Sequence, residues 1–324
     1  MEIICKVGQF EYFQLYKVKE KVSGEIFAVE VFYQRIKDYP KQSRKKVIKS
    51  LDSMIKVDHP LIQTCYQLIK NFDKKNCTAV LTDFLNMPSL YDIIHKQRKK
   101  LTETQKLINI YGIASAMNYL HSKGILHREL TTKNIIEDEK LHPKLVNFGM
   151  NTIFKSLSSL AKIKTISYFN APECFTDNLY KKSSEVFSFS LVVYEIVTGE
   201  NQFESIDNFH YFQNIKNKTL PTLNAEIPAP YRNLIEKCWS LNYNERPSFE
   251  DIVKDLRENF ISNHDYVTKN INIREYMEYV RFVDTATIKE PNINGNSNLK
   301  SKEKEKSKFG PDKKSSTTEK DTEK

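Results

Sequence analysis

The hydrophobic pattern of this 324-residue chain changes period at about Pro88, and that change limits the possible folds more than any other feature. Before it, short runs of β-formers dominate. Phe13, Leu15 and Tyr16, a Ser23-Gly24 turn and the run Ile26-Phe27-Ala28-Val29-Glu30-Val31-Phe32 predict a hairpin. Two further strand-like runs cover Leu61 to Ile69 and Thr78 to Phe84. One helix interrupts them: Val47, Leu51, Met54 and Ile55 recur at helical spacing between Lys41 and Lys56, and Asp58-His59-Pro60 ends the run. After Pro88 the spacing is that of longer helices, over Leu90 to Arg98, Glu103 to His121, Ser183 to Val197 and Tyr231 to Cys238, with short strands near Ile135 and Leu145. The expected outline is an α+β fold, a small strand-rich lobe followed by a larger helical one.

The lobes are expected over residues 1–85 and 86–262. With 40% hydrophobic residues the chain has enough apolar material for a large core. A helical extension follows over 263–286, where Ile273, Tyr276, Met277, Val280 and Phe282 lie on one helical stripe that either packs back on the larger lobe or docks a partner. From residue 287 to 324 large apolar side chains almost vanish, so burial does not offset ordering entropy, and a disordered tail rich in Lys, Ser and Glu is expected. The five cysteines show no CxxC pair or metal-ligand spacing, and no apolar stretch reaches the roughly 18 residues of a spanning helix. The first residues lack the pattern of a signal peptide. These features point to a reduced, soluble, cytoplasmic protein. The net charge of +9 gathers at Arg35 to Lys49, at Lys96 to Lys100 and after Lys300. Without an aromatic-interleaved groove, these groups read as solvated faces, and no nucleic-acid partner is expected.

Five short runs carry the chemistry. His127-Arg128-Glu129-Leu130-Thr131-Thr132-Lys133-Asn134 comes first, then Asn147-Phe148-Gly149, Ala171-Pro172-Glu173 and Ser184-Glu185-Val186-Phe187-Ser188-Phe189. Cys238-Trp239 with Glu245-Arg246-Pro247-Ser248-Phe249 closes the set. In this order and spacing they resemble the H-R-D-L-x-x-x-N, D-F-G, A-P-E and later helical motifs of eukaryotic protein kinases. Any single tripeptide is weak; the ordered series, from about residue 4 to 260, is specific. The Cys238-Trp239 and Glu245–Phe249 wording is most similar to the tyrosine-kinase-like group of serine/threonine kinases. The resemblance implies a bilobal protein kinase fold.

It also shows what is missing. Phosphoryl transfer in these kinases rests on positioning and charge neutralisation. The glycine-rich loop aligns with Gly8-Gln9-Phe10-Glu11-Tyr12-Phe13, where only Gly8 remains. The family's strand lysine corresponds to Glu30 and its helix glutamate partner to Ser50. The metal-binding aspartate is Asn147, which leaves two neutral amides, Asn134 and Asn147, where magnesium prefers charged oxygens. The catalytic aspartate is Glu129, one methylene longer and so displaced by about 1 Å, a shift that lowers but does not abolish a positioned reaction. Thr131 stands at a further lysine position, with Lys133 two residues on. Losing one electrostatic contributor commonly lowers a rate by about 10²–10³-fold.

Other positions match better. The resemblance assigns a nucleotide pocket to Gly8, Leu15, Ala28, Glu30, Thr82, Leu85 and Ile136, which would take ATP with weak or no magnesium; the reading of these as plain core residues stays open. It makes Met54, Cys65, His127 and Phe148 an apolar spine, with Gly149 beside it, and Glu173 and Arg246 an ion pair. Glu185 belongs to the central-helix motif. Arg128 would pair with a phosphate on 150–170, which offers Ser156, Ser158, Ser159, Thr165 and Ser167. The implied function is a pseudokinase acting as a scaffold or allosteric regulator of a protein partner, an active kinase among the candidates, met through Arg35 to Lys49. Two alternatives stand beside it: a serine/threonine kinase of low activity using Glu129 and one metal, and an ATP-binding switch without phosphotransfer.

Overall fold

Alternating apolar residues build the N-terminal sheet. In the computed structural model, β1 (Glu2–Gln9), β2 (Phe13–Lys19), β3 (Ile26–Phe32), β4 (Cys65–Ile69) and β5 (Ala79–Asp83) form one sheet in the order β1-β2-β3-β5-β4, every pair antiparallel. The structure describes residues 1–10, 13–33, 41–69, 72, 78–149, 169–177, 179–201, 214, 223, 226–258, 260 and 269–288. The five candidate phosphorylation sites lie outside the described residues, as does the tail expected to be disordered apart from Thr287 and Ile288, which are helical.

The register Leu15↔Glu30↔Val80 and Lys17↔Ala28↔Thr82 puts Ala28, Glu30 and Phe32 on one face of β3. Val29 and Val31 face the other way and close a small core with Val18, Ala79 and Leu81. Helix α1 (Lys41–Ile55) buries Val47, Leu51 and Met54 in the main core, which Phe13 and Phe32 also enter. The strand expected from Leu61 begins only at Cys65. Residues 61–64 pair elsewhere: Leu145 N–H donates to Leu61 O and Gln63 N–H to Leu145 O, each at 2.8 Å.

The helical lobe is laid out by α2 (Glu103–Ser122), the hairpin β6 (Ile135–Glu137) and β7 (Pro143–Leu145), then α3 (Pro172–Thr176), α4 (Lys182–Thr198), α5 (Ala229–Cys238), α6 (Phe249–Glu258) and α7 (Ile273–Ile288). Thr102 and Gln105 start α2 with a reciprocal cap. Both α2 and α4 are buried over most of their circumference, which explains their weak amphipathic signal. The helix expected over Leu90 to Arg98 is instead a π-helical turn, Asp92–Lys96, ended by Arg98 at φ 49°.

Helix α7 lies on the large lobe through Tyr276, Val280 and Val283, all buried. It runs to Ile288, past the expected end at 286, because its last turns are held: Asp284 accepts from Tyr111 Oη at 2.7 Å and meets Arg257 at 3.1 Å. Thr287 Oγ1 lies 3.1 Å from His59 Nε2. The His59 ring packs on Tyr119 with centroids 4.8 Å apart. No helix of the described residues is long and apolar enough to cross a membrane.

Candidate functional site

The site begins with a buried carboxyl. Glu30 is 4% exposed, and its β3 position aims it with Ala28 toward the main core. With Met54, Gln63, Cys65, Val80, Thr82, Asn147 and Phe148 it lines a cavity of about 10 Å³, room for about one water. No cationic side chain is among those lining residues, and burial pushes the Glu30 carboxyl up from 4.5 to about 7. Ser50 is half-buried one turn before Met54 and does not line the cavity. Met54, Cys65 and Phe148 meet there, and Gly149, at φ 72°, donates to His127 O at 3.1 Å. Burial lowers the His127 imidazole to about 4, so it sits neutral in the core.

Sequence reasoning did not anticipate Gln63. Its Nε2 donates to Thr82 Oγ1 at 3.2 Å and to Asp83 O at 3.0 Å, tying the edge of the cavity to the end of β5. Ala28 and Thr82 are buried partners across the sheet, and Leu15, Leu85 and Ile136 are half-buried.

Below the cavity two loops are joined directly. Asn134 Nδ2 donates to Glu129 O at 2.9 Å, which leaves its Oδ1 to accept from Asn147 Nδ2 at 2.8 Å. This chain of bonds assigns both amide orientations. Asn147 stands at φ 61°, a left-handed conformation that asparagine tolerates well. Glu129 is exposed, its N–H donating to His127 Nδ1 at 3.3 Å. Lys133 does not replace the missing lysine: its ammonium lies over the Tyr91 ring at 4.7 Å, while neighbouring Thr132 donates to the buried Glu195 at 2.8 Å.

Gly8 lies within β1, paired with Leu15. Phe10 N–H donates to Phe13 O at 2.9 Å, the two rings stack at 4.7 Å, and the Phe10 ring edge would lie 3.1 Å from a Cβ placed on Gly8. Phe13 is buried in the main core, whereas Phe10 is 45% exposed.

The supports of these loops are charged and buried. Glu173 and Arg246 form a two-pronged pair at 2.7 and 3.0 Å, with Ser184 Oγ adding a third bond at 2.7 Å. Glu185 accepts from the Arg128 N–H and from Tyr180 Oη, and lies 2.7 Å from His121 Nε2. That grip holds Arg128 at φ 69°, with its guanidinium over the Tyr180 ring at 5.0 Å.

Residues 1–256 match the family described as protein tyrosine and serine/threonine kinase. The chain belongs to that family. Over 217 residues it is 34% identical to the dual specificity protein kinase pyk3 of Dictyostelium discoideum, covering 65% of this chain and 16% of that protein. It is 31% identical over 176 residues to the RGS domain-containing serine/threonine-protein kinase A of the same organism, covering 54% of this chain and 16% of that protein. It is also 31% identical over 227 residues to the serine/threonine-protein kinase VIK of Arabidopsis thaliana, covering 66% of this chain and 51% of that protein. The match therefore spans between about a sixth and a half of these relatives.

Kinases as a class use ATP with magnesium, and the pair Asn134 and Asn147 suits a magnesium ion poorly. The Asn134 oxygen that would face a metal already accepts an amide proton, and neither asparagine brings charge. Among the described residues no cluster of three or more His, Cys, Asp or Glu side chains could hold a metal ion.

Proposed function

We propose that this kinase-family chain is a catalytically impaired pseudokinase that acts as a scaffold or allosteric regulator in signalling. The observation that carries this reading is Glu30, a buried carboxyl with no cation beside it in the cavity where the family keeps its lysine. A carboxyl there repels phosphate when ionised and offers only a neutral donor when protonated. The Asn134–Asn147 bond supports the same reading, since it uses the surviving metal-facing oxygen internally. The partner is a protein, with an active kinase as the first candidate. The Cys238-Trp239 and Glu245–Phe249 wording supports membership of the tyrosine-kinase-like group.

One observation favours a second reading, a serine/threonine kinase of low activity. Glu129 keeps an exposed carboxylate on the catalytic loop, and the relatives are named as kinases. An ATP-binding switch without transfer lies between the two. A thermal-shift titration with ATP, with and without magnesium or manganese, beside a phosphotransfer assay separates them. The pseudokinase reading expects no transfer. Robust magnesium-dependent transfer that Glu129→Ala abolishes would overturn it, and a shift by ATP without transfer would favour the switch. Restoring Glu30→Lys, Ser50→Glu and Asn147→Asp together is expected to bring back ATP binding.

A further inference from the structure

The basic residues near Lys100 do not form a solvated helix face. They border a cleft of about 750 Å³ between residues 94–101, the start of α2 and the end of α4. Its floor is apolar, with Ile94, Leu101, Ile196 and Val197 all buried. Its rim carries three successive exposed cations, Arg98, Lys99 and Lys100.

Successive residues rarely share one wall. They diverge by about 100° in a helix and alternate faces in a strand, so a common cleft needs irregular backbone between them. Arg98 supplies it at φ 49°, a left-handed conformation that favours glycine, and Lys99 N–H closes the turn on Ile93 O at 3.0 Å. Neighbouring cations are committed: Lys96 meets Asp92 at 2.7 Å, and Lys106 donates to Glu103 Oε1 at 2.7 Å and to Val197 O at 3.1 Å. Arg98, Lys99 and Lys100 form no ion pair among the described residues.

We propose that this cleft docks an acidic peptide segment of a partner protein. Its carboxylates meet Arg98, Lys99 and Lys100, and an aliphatic side chain rests on the floor. The shape and charge favour this occupant over other anions. A bilayer surface is flat and the cleft is concave; a nucleic-acid strand would find no Phe, Tyr or Trp to stack on among the lining residues. No catalytic-loop residue lines the cleft, so docking and catalysis fail or succeed separately.

The test is fluorescence anisotropy of the full chain with a short labelled peptide of Glu and Asp around two leucines, and the same peptide with Lys for each acid. Only the acidic peptide is expected to bind, more weakly as salt rises. R98E/K99E/K100E should weaken it by about tenfold or more. The triple variant K6E/K19E/K21E, at exposed residues of the N-terminal sheet and its turn that do not line the cleft, changes net charge equally and should leave affinity within about twofold. Circular-dichroism melts check that both variants fold. Equal losses in the two variants would reduce the effect to net charge and overturn the proposal. So would no binding of the acidic peptide by the wild-type chain, or preferential binding of anionic phospholipid vesicles with the same dependence on Arg98 to Lys100.

Discussion

Substituting Glu30 by glutamine should change how stability depends on pH. Below pH 4.5 the carboxyl is protonated in both the folded and unfolded chain and contributes no difference. Between 4.5 and about 7 the unfolded chain releases the proton while the folded chain keeps it, so stability falls as pH rises; above about 7 the loss is complete. Moving the ionisation this far corresponds to about 3 kcal/mol. For a domain of this size each kcal/mol moves the melting point by about 2–4 °C, so the effect is on the order of 6–12 °C. Urea denaturation of the wild-type and Glu30→Gln chains across this range measures it. Their difference is the quantity to follow, because Glu137, pushed by burial to about 8, titrates nearby but cancels between the two. Parallel curves from pH 4.5 to 8 would refute the reasoning: they would mean that the carboxyl is hydrated or paired, and that β3 does not aim it into the core.

Breaking the buried Glu173–Arg246 pair by Arg246→Ala should destabilise the fold by about 3–5 kcal/mol in chemical denaturation, because it leaves a carboxylate buried without its partner. Phe13→Gly should be destabilising by about 3–5 kcal/mol, since its ring lies in the core. Phe10→Gly, at an exposed ring, should change stability by less than about 1 kcal/mol, so similar losses would contradict the described hairpin. Gly112→Ala would bring a methyl against Tyr279 Oη and within 2.7 Å of Pro143 Cγ. The expected loss is about 1–3 kcal/mol, with faster hydrogen exchange in α7.

The helices around Val47, α2, α4 and α5 are legible because their apolar spacing or length is local. Helix α6 is legible too, through its reciprocal S-x-x-D start: Ser248 N–H donates to Asp251 Oδ2 at 3.0 Å and Asp251 N–H to Ser248 Oγ at 3.1 Å. Strand β1 gives no such sign, as Ile3, Ile4 and Val7 are all exposed and do not alternate. For the candidate site, local motifs identify Asn134 and Asn147 but not that they bond to each other, which depends on the turn between β7 and Gly149. The side-chain destinations of Gln63 and Lys133 are likewise tertiary facts. Lys133 reads as a displaced catalytic cation until Tyr91 is seen beneath it.

The bond between His59 and Thr287 joins residues 228 positions apart. His59 sits in the turn that carries the end of α1 into β4, and Thr287 is one residue from the end of α7. The end of α7 is therefore held beside that turn. The turn after α1 and the last turn of α7 thus fix each other's place through one hydrogen bond, one helical turn beyond the Asp284 contacts to Tyr111 and Arg257.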